Sequence, residues 1–149
     1  MATKEAVIQR YTFDADPTLL AYSEEEDNGH ALAGQDIAVM VNSSGLVVPA
    51  TTQRAIVGRL DVVMRSQKCT VTTFGQDVAF KQGAVGGCDV GDGIVGASGP
   101  SIGGQTNGYV TRAPNDDQTS AIVTSRKSRG YVIKVVSNTA GGEVRVIFP

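Results

Sequence analysis

Glu24-Glu25-Glu26-Asp27-Asn28-Gly29-His30 gathers hard oxygen ligands beside the chain's single histidine, which is the composition of a metal loop. The spacing is wrong for one. Consecutive carboxylates cannot all converge on one ion, and the alternating acidic ligands of a calcium loop are absent, so the run reads as a solvated acidic turn with no metal. His30 is the only residue that could serve as the base of a nucleophile triad, and an isolated histidine in a polar turn is an inert one. Gly91-Asp92-Gly93-Ile94-Val95-Gly96 matches the dinucleotide fingerprint as a string. That fingerprint works only where its glycines join a strand to a helix whose N-terminus faces the pyrophosphate. Ala97-Ser98-Gly99-Pro100 cannot propagate a helix, so the stretch is expected to be a Gly-Asp turn, a short buried strand at Ile94-Val95 and then a flexible loop. Cys69 and Cys88 read as two buried apolar thiols rather than a bridge or a metal pair. Arg126, Lys127 and Arg129 suit an acidic or phosphate partner, but such a group is more often the solvated edge of a sheet. No catalytic, cofactor or metal residue is assigned, and the protein is not expected to be an enzyme.

The elements that hold these residues are strands. The 149 residues include 18 glycines, only 5% aromatics and no Trp, so the core must be built from Val, Ile, Leu and Ala between tight turns. A chain of this length makes one domain and buries roughly two-thirds of its unfolded surface. Ile37 to Val41 and Leu46 to Val48 form a hairpin over Asn42-Ser43-Ser44-Gly45. Ile56 to Met64 and Cys69 to Phe74 follow as strands, and Gly75-Gln76-Asp77 is expected to turn the chain into Val78-Ala79-Phe80. Gly108 to Arg112 is a short strand, and Ala113 to Ser128 is polar. Tyr131 to Val136 and Glu143 to Phe148 close the chain as a hairpin, with Val144, Val146 and Phe148 facing one way and Glu143, Arg145 and Ile147 the other. The expected fold is all-β: a single small Gly- and Val-rich barrel or sandwich over residues 34–149, preceded by an extended acidic arm over residues 1–33.

The net charge is −2, which argues against a nucleic-acid partner, because phosphate contacts demand a concentrated positive surface. Residues 1 to 36 carry −6 and the remainder +4, an acidic arm before a mildly basic body. No apolar run reaches membrane-spanning length and MATKEAVIQRY lacks a signal-peptide core, so the expectation is a protein made and kept in a cytoplasm with no membrane partner. The arm shows neither a period of two nor one of 3.6, yet Tyr11, Phe13 and Tyr22 put three of the eight aromatics into the first 22 residues. Such anchors dock somewhere. Either the arm packs on its own barrel, adding a strand to it, or it lies on a neighbouring subunit or partner.

Taken in order, these elements resemble the capsid decoration proteins of tailed bacteriophages, also called cement or head-stabilising proteins. The resemblance spans residues 34–149. It is carried by Gly45-Leu46-Val47-Val48-Pro49-Ala50, the strand glycine in Ile56-Val57-Gly58, and the hairpin from Cys69-Thr70-Val71 through Gly75 to Val78. The Gly-Asp turn at Val85 to Asp92 and the terminal strand Gly142-Glu143-Val144-Arg145-Val146 complete it. Arg59 stands where a small residue is commoner, and Ser98 to Ser128 is longer than the pattern requires. The resemblance implies a structural protein on the surface of the virion that binds the major capsid protein of an assembled head, commonly as a homotrimer. Tyr11, Phe13 and Tyr22 would then be partner contacts, with Glu24 to Asp27 aligning the arm over basic surface, and a barrel beginning after Gly34 would survive loss of residues 1 to 30. Two other classes have similar dimensions. A trimeric nucleotide hydrolase of the dUTPase kind would need Ala-Gly-Tyr-Asp and Gly-x-Ile-Asp-x-x-Tyr motifs, which are missing. A carbohydrate- or receptor-binding tail module would need aromatic platforms, for which four Tyr and no Trp are few.

Overall fold

The computed structural model describes residues 9–22, 36–102, 104–113 and 130–148. The acidic run, His30 and the basic group at Arg126, Lys127 and Arg129 lie outside them. Among the described residues the chain is nearly all β. Its elements are β1 (Gln9–Asp14), a 3-10 turn (Pro17–Tyr22), β2 (Ala38–Val41), β3 (Val47–Pro49), β4 (Gly58–Val63), β5 (Lys68–Lys81), β6 (Ile94–Ile102), β7 (Gln105–Arg112), β8 (Tyr131–Val135) and β9 (Glu143–Phe148).

β5 organises the rest. The turn expected at Gly75-Gln76-Asp77 is instead a bulge: the ladder with β9 skips from Gly75 to Val78, Gln76 and Asp77 point out, and the strand runs on. A bulge asks for the same permissive residues as a turn but bends the strand rather than reversing it. Here it also marks a change of partners. Residues 68–74 pair with β1 on one side and β4 on the other, whereas Gly75 onward pairs with β9.

Each half of β5 belongs to its own ring. On the N-terminal side the pairing runs β3, β2, β4, β5, β1. Ala15, directly after β1, then bridges Val47 of β3, and the Asp16 amide donates to the Val47 carbonyl at 2.9 Å. On the C-terminal side it runs β5, β9, β8; Gly93 bridges Tyr131 and leads into β6, which pairs β7, and Gln82, directly after β5, bridges Val110 of β7. Two small curled rings thus share one bent strand.

The buried clusters follow this division except that Ala38 of β2, with Ala50 and Ile56 between β3 and β4, packs into the second. Ala15, Leu19, Tyr22, Ile37, Val39, Val47, Leu60, Val63, Cys69 and Val71 fill the first. Val78, Phe80, Val144, Val146 and Phe148 lead the second, joined by Cys88, Ile94, Val110 and Val132. Phe80 and Phe148 meet at a centroid separation of 6.1 Å. The terminal strand alternates as expected, with Val144, Val146 and Phe148 buried and Ile147 exposed.

One open alternative is decided and one expectation corrected by the chain's own packing. Residues 9–22 do not stand away from the barrel: β1 adds a strand to β5, and Leu19 and Tyr22 are buried in the first core. Of the two docking modes left open by the sequence, these residues take the one on their own sheet. The flexible loop expected after Val95 is also absent, because β6 continues to Ile102 against β7. Its glycines serve close approach rather than flexibility. A Cβ on Gly96 would lie 2.3 Å from the Thr51 carbonyl oxygen, so only glycine lets β6 lie against the 50–54 segment of the first ring. Gln53 N donates to Gly96 O and Gly96 N to Arg54 O, both at 2.8 Å, which ties the rings together.

Candidate functional site

The three aromatics expected as partner contacts have three different fates. Tyr11 lies opposite Val71 in the β1–β5 ladder and is 53% exposed. Phe13 is half-buried against the first core. Tyr22 is only 1% exposed, and its hydroxyl donates to the Asn107 carbonyl of β7 at 2.8 Å. Desolvation, with Tyr109 nearby, pushes its pKa up to about 12. Tyr22 therefore joins the two rings, its side chain covered by its own chain at the buried end of the 3-10 turn.

β1 is fastened from the outside as well. Asp61 of β4 accepts from Arg10 at 3.2 Å, from Arg59 through Nε at 3.3 Å and Nη2 at 3.2 Å, and from the Thr72 hydroxyl at 2.5 Å. One carboxylate thus crosses three strands. Lys68 meets Asp14 at the other end of β1.

Cys69 and Cys88 are both free, and they sit in different cores. Burial pushes the thiols up to about 11 and about 12 respectively, so neither is a nucleophile near neutral pH. The Gly-Asp turn is a fastened loop. Arg112 donates to the Gly86 carbonyl at 2.8 Å and to Asp89 at 3.0 Å, and lies 3.5 Å from Asp92. Behind it, the fully buried Gln82 donates to the Ser137 and Thr139 carbonyls and to Asn138 Oδ1, and accepts from the Cys88 amide at 3.2 Å. This loop presents Val85 and Val90 to solvent.

One outward apolar group among the described residues was not singled out from the sequence. Tyr131, Ile133, Val136 and Ile147, each 40% to 52% exposed, stand on the β8–β9 hairpin. Tyr131 and Ile147 are directly opposed. Beside them runs a groove of about 670 Å³, lined by Ile133, Lys134, Val136, Glu143 and Arg145 with Gln76 and Asp77 of the β5 bulge. Arg145 reaches Glu143 at 3.1 Å and Asp77 at 3.7 Å. A signal was present: Ile147 falls on the outward face of a strand whose other outward residues are Glu143 and Arg145. Large apolar side chains grouped on a surface mark a contact with another molecule. The arrangement defines an all-β scaffold of two fused rings with an outward apolar face. No family model, curated protein or solved structure matches the chain.

Proposed function

We propose that the protein is a structural component of a phage particle that binds the outside of an assembled head, engages its major capsid protein as a homo-oligomer, most simply a trimer, and stabilises the shell. The observation that carries this reading is the set of outward apolar side chains, Tyr11, Tyr131, Ile133, Val136 and Ile147, on a scaffold whose strands curl around two buried interiors and are joined by isolated bridges. Such a molecule offers shape and rigidity to a partner. The resemblance to decoration proteins adds to it, since its strand glycine has a physical role here: a Cβ on Gly58 would lie 2.0 Å from the Thr72 carbonyl oxygen. Arg59, the departure from that pattern, belongs to the Asp61 cluster.

Co-sedimentation with purified phage heads tests the proposal. Saturable, stoichiometric recovery in the particle fraction and a higher melting temperature of the heads are expected. A protein that stays in the supernatant at micromolar concentration, with head stability unchanged, would refute it.

A further inference from the structure

The outward face of the β8–β9 hairpin is shaped by two bulges that flank the same part of β9. β5 loses register between Gly75 and Val78, and β8 does so between Val132 and Lys134, yet Val78 and Val132 both pair with Val146. Bulges re-aim side chains, and paired bulges on either side of one strand leave a groove along it. Asp77 is carried to one wall of this groove and Ile133 and Lys134 to the other, with Arg145 between them.

The charges of this face balance. Asp77 and Glu143 oppose Lys134 and Arg145, and the apolar centre of Tyr131, Ile133, Val136 and Ile147 lies alongside. Arg145 is taken up by Glu143 and Asp77 of its own chain, whereas Lys134 is exposed and makes no ion pair among the described residues. Asp77 is itself 62% exposed at the far wall, and its contact with Arg145 is long. A face of one sign would repel its copy. A neutral face with a free cation on one wall and an exposed acid on the other is complementary to itself after a twofold rotation, the requirement of an isologous contact between two copies.

We propose that this face is the contact between copies of this chain, with Lys134 of one molecule meeting Asp77 of the next around an apolar centre of Ile133, Val136, Tyr131 and Ile147. The inference rests on the self-association in the proposed function, gives it as a twofold pair that a trimer would have to extend through a second surface, and is independent of the capsid partner.

Light scattering across a concentration series tests it with four proteins: wild type, Lys134→Glu, Asp77→Lys, and the double swap of both. The wild type should run above its single-chain mass of 15.5 kDa. Each single reversal should weaken association about tenfold or more, and the double swap should return it to within about threefold of wild type. Both side chains are exposed, so circular dichroism should be unchanged and thermal melts should differ only by the concentration-dependent part that association contributes, which confines the effect to the contact. An oligomer that the single reversals weaken less than tenfold, or that the double swap fails to restore, overturns the assignment of this face while leaving self-association standing. A monomeric wild type overturns both the face and the homo-oligomeric reading, whereas capsid binding is decided separately by co-sedimentation.

Discussion

The two rings share a strand and a valine-rich interior, but they are closed by opposite means. The first is closed by a terminal segment that contributes apolar bulk, Leu19 and Tyr22, through a 3-10 turn, with ion pairs only at its outer surface. The second is closed next to β5 by Gln82, a buried polar side chain whose hydrogen bonds run to the 137–139 turn and to Cys88. An apolar plug can leave as a unit, exposing surface that water covers at a cost in proportion to its area. A buried polar hub cannot be loosened partway, because each partner it abandons remains desolvated. The first ring should therefore open more readily than the second.

The most severe way to break this comparison is to delete residues 1–22. The sequence suggested that a barrel starting after Gly34 would survive. The structure predicts otherwise, because the deletion removes β1 and the two buried anchors. Truncating a buried leucine alone costs about 3 kcal/mol, against a total stability of roughly 5–15 kcal/mol. Loss of the cooperative transition in urea is expected, and a truncated protein with an intact transition would show that the plug is dispensable. Leu19→Ala is the milder form. Cys69 and Cys88 serve as natural reporters of the two cores, and Leu19→Ala should speed thiol labelling at Cys69 well beyond that at Cys88. Equal acceleration at both would mean that the rings open as one unit.

Gln82→Leu attacks the other closure. It keeps the volume but leaves the Cys88 amide and the Ser137 carbonyl without their Gln82 partner, while Asn138 Oδ1 and the Thr139 carbonyl keep the Gly86 and Gly142 amides, at a cost of about 2 kcal/mol by urea denaturation. Here Cys88 should be labelled first. Tyr22→Phe is smaller, about 1 kcal/mol, since it removes only the hydroxyl's bond to the Asn107 carbonyl. A loss near zero would mean that the joint between the rings does not depend on that bond.

The same contrast explains what was legible in the sequence. Strands that bury one face write a period of two, so the alternation of Val144, Val146 and Phe148 was readable, while the hairpin at Ile37 to Val48 was readable as two apolar runs about the Asn42-Ser43-Ser44-Gly45 turn. β1 writes no such pattern, because Gln9 to Thr12 are exposed on both sides of the strand and only Phe13 turns inward. β6 looked like a loop because its glycines answer to the Thr51 backbone and to the Tyr109 ring, which a Cβ on Gly99 would meet at 2.7 Å. Neither partner is near in sequence. The outward face was half legible, in the position of Ile147. The groove beside it was not, since it depends on two bulges whose registers are set by β9.

The smallest expected effect concerns the seam. Asp36 is half-buried, takes a positive φ of 52°, and precedes β2 where charges of both rings converge. Desolvation raises its pKa above 3.8 and Glu143 adds to this, while Arg59, Lys81 and Arg145 oppose it. The folded state thus holds the Asp36 proton more tightly than the unfolded chain does. Its charge is a penalty that is absent below pH 3.8, grows as pH rises through the raised folded value, and is complete at neutral pH. Asp36→Asn tolerates the same left-handed backbone and cannot ionise, so it should raise stability at pH 7 by less than about 1 kcal/mol. The gain should vanish near pH 3. Comparing the two proteins at each pH cancels the titration of every other group. If Asp36→Asn is instead destabilising at pH 7, attraction to Arg59, Lys81 and Arg145 outweighs desolvation, and Asp36 is a charged clasp between the rings rather than a strained corner.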